Sequence, residues 1–496
     1  MFGELRRLWR ETAVYGLSTV VGRLLNFLLL PLYTHCLVPA EYGIVATVFS
    51  YIAFLNVLYS YGMDFAFMRF SKEGPEGGAA GDFSTPFWSI AATSLLLSGL
   101  IHAGAGPLAR TCGVPEAYLD VIGYGAWILA LDALALVPFA ELRLSHRAAA
   151  YAGIKVANIV LNLTLNYVFL VVMKMGVRGV FLASLLAACA SFVMVAPVLM
   201  SRLELAFDRQ LFRKLLRFAL PLVPAGLASM MVQVIDRPIL KHLTDDSVVG
   251  LYQANYRLGI LMMMVVNMFD AAWRPFFLQR STRPDAKELF ARVLTYFAAG
   301  AGLVLLFITF FIDDLVALPL LGGRPLIHPA YWGGLSIVPI VTLGYLFNGL
   351  YVNFLAPVTL AKRTDLIAYA TAAGAFVNIS ANFLLIPRWG MTGAAVATLL
   401  AYVCMAGALY AMGRRVYPIP YEFGRLAHLG VCLAALAFVF HRLPHPMAVK
   451  LLLLAAFPIS LLATGFFAKD ELRALRSAFS GEGEGPTAPS GPAARP

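Results

Sequence analysis

Charge is what this sequence has least of. Asp, Glu, Lys and Arg make up only 13% of its 496 residues, where a water-soluble domain carries about a quarter. Cysteine is scarce as well. The five cysteines (Cys36, Cys112, Cys189, Cys404 and Cys432) are scattered and form no CxxC, which argues against a disulfide framework and a zinc site. No GxxxxGK[ST] segment is present, so the backbone cradle of a nucleotide-hydrolysing loop is missing. Strand-type alternation is absent too, which argues against an outer-membrane barrel. No cofactor and no metal is expected, and no enzymatic centre.

Apolar residues fill the space. They reach 60% of the chain, with a mean hydropathy of +0.77. No water-soluble packing hides that much apolar surface, so the bilayer is the solvent for most of the chain. A spanning helix needs roughly 20 mostly apolar residues. The runs predict an all-α integral membrane protein with about 14 transmembrane helices. They lie near 12–34, 41–63, 84–106, 117–140, 148–172, 176–200, 215–240, 246–269, 292–318, 330–356, 365–386, 389–411, 422–441 and 447–468. The first run follows Arg6, Arg7 and Arg10, but it is too long for a signal peptide and lacks a small-residue cleavage site, so it reads as an uncleaved helix.

Cytoplasmic loops carry the excess of Lys and Arg. With the N-terminus inside, 26 of the 38 basic residues fall on the cytoplasmic side, 8 on the opposite side and four within spans. Both termini are therefore expected in the cytoplasm. The net charge of +11 is mostly a feature of that face, suited to orientation and to anionic lipid headgroups. Nucleic acid is not an expected partner. Loops on the outer side are short, which leaves no room for a large outer catalytic domain and counts against a membrane-bound glycosyl transferase or polymerase. The end of the chain, from about residue 479, is rich in Gly, Pro and Ser and is expected to be disordered.

The chain also repeats itself. PLYTHCLVPAEYG from Pro31 meets PILKHLTDDSVVG from Pro238, so that Pro31/Pro238, His35/His242 and Gly43/Gly250 share one offset. A second echo pairs NLTLNYVFLVVMKMGVRGVFLASLLA from Asn162 with NISANFLLIPRWGMTGAAVATLLA from Asn378. Spans 1–6 and 7–12 thus read as two copies of one unit. Six is even, so both enter the membrane in the same direction. Parallel repeats of this kind place a substrate site between the halves, near the midplane. The expected units are a first lobe (1–202), a second lobe (203–412), two C-terminal helices (413–470) and a cytoplasmic tail (471–496), with a central cavity between the lobes.

At these residues the chain resembles the multidrug/oligosaccharidyl-lipid/polysaccharide exporter superfamily, and within it the polysaccharide-transport branch of O-antigen and capsule repeat-unit flippases. GRLLNFLLLPLYTHCLVPAEYG (Gly22–Gly43), ELRLSHRAAAYAGIKVANIVLNLTLNYVFL (Glu141–Leu170), GVRGVFLASLLA and GMTGAAVATLLA carry the resemblance. It implies two six-helix lobes, with two extra helices in many flippases. It also implies an activity in lipopolysaccharide and polysaccharide biosynthesis, namely flipping of undecaprenyl-diphosphate-linked sugar units from the cytoplasmic to the periplasmic leaflet of a bacterial inner membrane. The implied partners are the lipid-linked oligosaccharide, membrane lipids and a polysaccharide polymerase or export machinery. A cation-coupled multidrug antiporter of the same superfamily is the alternative, although it would want a cavity led by carboxylates.

Ionisable residues inside spans are costly in lipid and therefore point to function. Four cations stand out: Arg23, Lys155, Arg237 and Arg257. They either line an aqueous cavity and bind a diphosphate, which a planar guanidinium grips with two parallel bonds, or pair internally. The cavity reading is favoured for Arg23 and Lys155, deep in their spans, and pairing with Asp236 for Arg237. The resemblance adds that a span-1 arginine in the setting G-R-x3-F takes part in substrate handling, a setting that Gly22, Arg23 and Phe27 reproduce. Asp132, Asp64 and Asp270 are candidates for ion coupling, with pairing to Arg69 and Arg274 the competing reading for the last two. Asn26, Asn158, Asn162, Tyr345 and Asn348 are candidate polar and aromatic cavity residues. Helix–helix hydrogen bonding is the competing reading for the asparagines, and bundle packing for Tyr345 and Asn348.

Overall fold

The computed structural model describes residues 22, 25–71, 82–320, 322–444 and 446–466. Most of the expected first span, Arg23 with it, and the tail from 467 lie outside the described residues. Among the described residues ten helices are long and apolar enough to cross a bilayer, or eleven if one bent pair counts as a span. The architecture is all-α. The one strand pairing among the described residues is a two-residue antiparallel ribbon, Pro319–Leu320 with Arg324–Pro325, in the loop after the ninth expected span.

The chain begins with α1 (Leu29–Cys36), α2 (Pro39–Ser60) and α3 (Met63–Phe70). Next come α4 (Ser84–Ala103), α5 (Ala105–Cys112), α6 (Leu119–Leu144), α7 (Ala148–Tyr167) and α8 (Val177–Arg202). After a six-residue linker (203–208) follow α9 (Arg209–Ala219), α10 (Leu222–Val234), α11 (Asp236–Leu243), α12 (Asp246–Leu258), α13 (Ile260–Arg280) and α14 (Ala286–Ala317). The chain then continues through a 3-10 segment (Pro329–Ile337) to α15 (Val338–Asn353), α16 (Leu355–Leu360), α17 (Asp365–Val416), α18 (Phe423–Arg442) and α19 (Met447–Ala463). In the first part α6 packs on α2, α4 and α8, and α7 on α8; in the second, α17 packs on α10 and α15, and α13 and α14 pack on α15.

Where the helices depart from the expected spans, a residue accounts for it. The seventh expected span, 215–240, is not one helix. It bends by 42° between α9 and α10, where Pro221 stands at the N-cap of α10. Its amphipathic start, α9, is capped by the Asp208 side chain, which accepts from the backbone N–H of Gln210 and Leu211 and so satisfies donors that a helix start otherwise leaves free. The eighth, 246–269, divides at Gly259 into α12 and α13. Spans 11 and 12 run on as a single 52-residue helix interrupted at Gly390, whose φ of +53° only glycine adopts without strain.

The final two helices lean on α14. One ion pair ties them down: Lys450 of α19 lies 2.5 Å from Asp314 of α14, with the ammonium side 5% exposed and the carboxylate side 39%. The asymmetry sets an expectation. Asp314→Ala strands a buried ammonium and is expected to cost roughly 3 kcal/mol, the scale for breaking a buried pair. Lys450→Ala strands a carboxylate that water reaches and is expected to cost about 1 kcal/mol. Thermal unfolding in detergent measures both; equal losses would count against the pair as the anchor.

Candidate functional site

The two parts of the chain meet first at the end carrying residues 35–43 and 241–250. There α2 crosses α12 with no side chain between them. A Cβ placed on Gly43 would overlap the Asp246 carbonyl oxygen, and one on Gly250 would overlap the Pro39 carbonyl oxygen. These are the two glycines that the sequence repeat aligns. Small residues are what allow membrane helices to approach this closely. Around the crossing, the Tyr331 hydroxyl donates to the Leu37 carbonyl at 2.8 Å. His35 Nε2 lies 2.8 Å from the Pro325 carbonyl, and its ring meets His328 edge to face. Lys241 pairs with Asp246 at 2.5 Å. Tyr33, Tyr42 and Tyr331 stack edge to face beneath, all buried. These contacts close this end of the bundle.

Under that seal sits Arg257. Its guanidinium carbon is 5.8 Å from the centre of the Tyr33 ring. Its Nη1 is buried without a hydrogen-bond partner among the described residues. A buried donor without a partner loses its hydration and gains nothing in return. Arg237 is the opposite case. It is buried and fully engaged: Nη1 lies 2.7 Å from Asp236, Nε donates to Gln253 at 2.9 Å, and the guanidinium lies over the Tyr256 ring at 4.3 Å. Asp236 in turn accepts from the Tyr252 hydroxyl.

Two polar cavities flank this centre. The first, about 340 Å³, is lined by residues of α2, α6, α7 and α8, among them Asp132, Asn56, Asn158, Asn162 and Ser184. Asp132 is exposed to it, and Lys155 is the charge that reaches Asp132. The Lys155 ammonium lies 4.1 Å from the Phe139 ring centre, a cation–π placement. The asparagines do double duty. Asn158 donates to the Ala187 carbonyl at 2.7 Å and Asn162 reaches Ser184, so they also join α7 to α8. The second cavity, about 320 Å³, lies between α10, α12, α13, α15 and α17. Gln233, Asn267, Tyr345, Asn348, Thr371 and Tyr402 line it. Tyr345 packs between Tyr256 and Tyr402, ring centres 6.0 Å away on each side.

The remaining candidates fall elsewhere. Arg23 lies outside the described residues. Asn26 is exposed. Asp270 pairs with Arg274 at 2.8 Å. Asp64 stands in the first turn of α3, where Arg143 is the cation facing it; Arg69 lies over the Phe70 and Phe218 rings. Sequence reasoning did not single out the Tyr33–Tyr42–Tyr331 stack or Tyr256 and Tyr402. Their only signal was an unusual density of tyrosine near the repeat-related segments. Among the described residues no group of His, Cys, Asp and Glu is placed to hold a metal ion.

Repeat-related asparagines adopt the same geometry in both parts. Asn166 Nδ2 donates to the Asn162 carbonyl and side chain at 2.8 and 3.0 Å. Asn382 Nδ2 donates to the Asn378 carbonyl and side chain at 2.8 and 3.1 Å.

Comparison with known proteins agrees with this arrangement. Residues 8–280 match the family described as "Polysaccharide biosynthesis protein". No curated protein sequence matches the chain. Among solved structures, the chain is similar to the lipid II flippase MurJ in an inward closed conformation, with a TM-score of 0.70 at 14% identity, over 90% of this chain and 98% of that one. It is similar to an inward-facing multidrug resistance MATE family transporter of the MOP superfamily, with a TM-score of 0.61 at 16% identity, over 79% and 94%. The Vibrio cholerae MATE transporter VcmN in its bent form gives a TM-score of 0.55 at 16% identity, over 83% and 96%. At these identities the likeness establishes the fold.

Proposed function

The chain belongs to the polysaccharide biosynthesis protein family, and from that premise we propose that it flips undecaprenyl-diphosphate-linked oligosaccharide repeat units from the cytoplasmic to the periplasmic leaflet of a bacterial inner membrane. The observation that carries this reading is Arg257, a half-buried guanidinium under the closed end of the bundle with a donor left free among the described residues. A diphosphate is the ligand that such a fork suits. Arg23 and Lys155 complete the cationic set in this reading, while Arg237 keeps α11 and α12 together through Asp236 and Gln253. The sugars would lie against the polar cavities, on Asn158 and Asn162 in one part and Tyr345 and Asn348 in the other. Asp132 is the proposed coupling carboxylate. Asp64 and Asp270 are better suited to tuning the cytoplasmic ends of their helices.

Transport would follow alternating access: the crossing of α2 with α12 parts while the opposite end closes. Energy comes from an ion gradient or the substrate's own gradient. The test is a deletion strain. Carrier-linked repeat units should accumulate while surface polysaccharide disappears, and the wild-type chain should restore both. Unchanged carrier pools and unchanged glycan would remove this substrate. A multidrug antiporter is the second reading, and Asp132 favours it, since a carboxylate exposed in a cavity suits cationic drugs. A shift in drug susceptibility on expression, with glycan unaffected, would select it.

A further inference from the structure

A third cavity, of about 400 Å³, adjoins both polar ones, sharing Ile52 with the first and Val234 with the second. Ile52 and Leu55 of α2, Ile122 and Leu129 of α6, and Val234 and Pro238 of α10 and α11 form its main walls, and its lining is almost wholly apolar. Protein interiors are close-packed, with few voids larger than a water molecule, so an empty space of this size is not a packing accident. Water does not fill it either, because a buried water needs two to four polar partners. Hydrocarbon is the occupant that matches both the lining and the surrounding bilayer. Leu108, at the outer end of the lining, is 37% exposed and marks where a chain enters.

Volume selects the kind of chain. A methylene is similar in size to a water molecule, about 30 Å³ of liquid, so the cavity holds on the order of a dozen methylenes. That is most of a fatty acyl chain and far short of an undecaprenyl chain. Charge at the rim selects the headgroup. Lys241, one helical turn outward from Pro238, is already taken by Asp246 at 2.5 Å. Arg110, on α5 between the lining residues Leu108 and Cys112, is exposed and only loosely paired with Glu116 at 3.7 Å. We propose that this cavity is a phospholipid site: one acyl chain fills it, with an anionic headgroup on Arg110. The chain would wedge between helices that precede and follow residue 203, next to the α2–α12 crossing. This inference rests on the cavity and not on the transported substrate, so the two fail separately.

Native mass spectrometry of the full-length protein in mild detergent tests it, with phosphatidylglycerol and phosphatidylethanolamine as added probes. Wild type is expected to retain one phospholipid through delipidation roughly tenfold better than Ala126→Phe or Val234→Phe. These fill the cavity from α6 and from α10, so a variant that loses cooperative melting leaves the other to decide. Arg110→Gln is expected to keep the lipid but lose the preference for phosphatidylglycerol. As a measurement on the wild-type protein alone, a phospholipid with a photoreactive acyl chain is expected to label peptides containing Ile122 or Leu129. Equal retention by wild type and both filled variants, a polyprenyl mass in place of a phospholipid, or labelling confined to other peptides would each overturn the proposal.

Discussion

Arg257→Ala is expected to lower surface glycan by roughly one to two orders of magnitude, because a hydrogen bond to a charged group is worth about 1.5–3 kcal/mol and about 1.4 kcal/mol is tenfold. The same variant is expected to melt no lower than wild type. Among the described residues its Nη1 has no hydrogen-bond partner, so removing the guanidinium breaks no hydrogen bond there. Arg257→Lys should fall between the two, since an ammonium keeps the charge but not the planar fork. Arg237→Ala is expected to behave the other way round. Its removal strands Asp236, which is 1% exposed, and breaking a buried pair costs about 3–5 kcal/mol. That variant should be lost from the membrane before its transport can be measured. Glycan output, carrier-linked pools and melting temperature, read together on the three variants, separate a ligand-binding arginine from a structural one. If Arg257→Ala exports normally, or if it unfolds like Arg237→Ala, the ligand role fails.

This contrast also marks how far the residues could be read before the fold was known. Runs of roughly 20 apolar residues announce helices because lipid permits little else, and the described helices fall on the expected apolar runs, with breaks in the seventh and eighth and a continuous helix through the eleventh and twelfth. The breaks at Pro221 and Gly259 were harder to foresee. Isolated Pro and Gly are tolerated inside membrane helices, and only the neighbouring packing decides whether the chain bends there. Asp236 beside Arg237 announced its own pair, because adjacency in sequence is adjacency in space. Lys450 and Asp314 did not, since 136 residues separate them. Nothing in the sequence distinguished Arg257 from the other in-span cations either. What sets it apart is a buried Nη1 without a partner among the described residues, and partners are a property of the fold. The repeat aligned Gly43 with Gly250 but gave no hint that the aligned residues would touch. That contact follows only once α2 and α12 cross.

Gly43→Ala and Gly250→Ala are therefore expected to have the largest effect on conformation. Each new methyl group would meet a backbone carbonyl, of Asp246 or of Pro39, and a backbone cannot swing aside as a long side chain can. The helices must part, at a cost on the scale of overpacking, about 1–3 kcal/mol or more. Parting them pulls Tyr331 from the Leu37 carbonyl and His35 from the Pro325 carbonyl, the contacts that bind the two parts of the chain around the crossing. Because the seal is built from packing and a few hydrogen bonds, a loss of this size shifts its equilibrium by roughly one to two orders of magnitude. The open population should show at Cys36, which is half-buried at the end of α1. Its labelling by a membrane-impermeant maleimide, mapped by mass spectrometry, is expected to rise several-fold from the outer side while export falls. Gly99→Ala serves as the control, since a Cβ there meets nothing within 4 Å and both readouts should stay at wild-type levels. Were Cys36 labelling and export unchanged in both crossing variants, the α2–α12 contact would be ordinary packing, and the moving seal would have to be sought elsewhere in the fold.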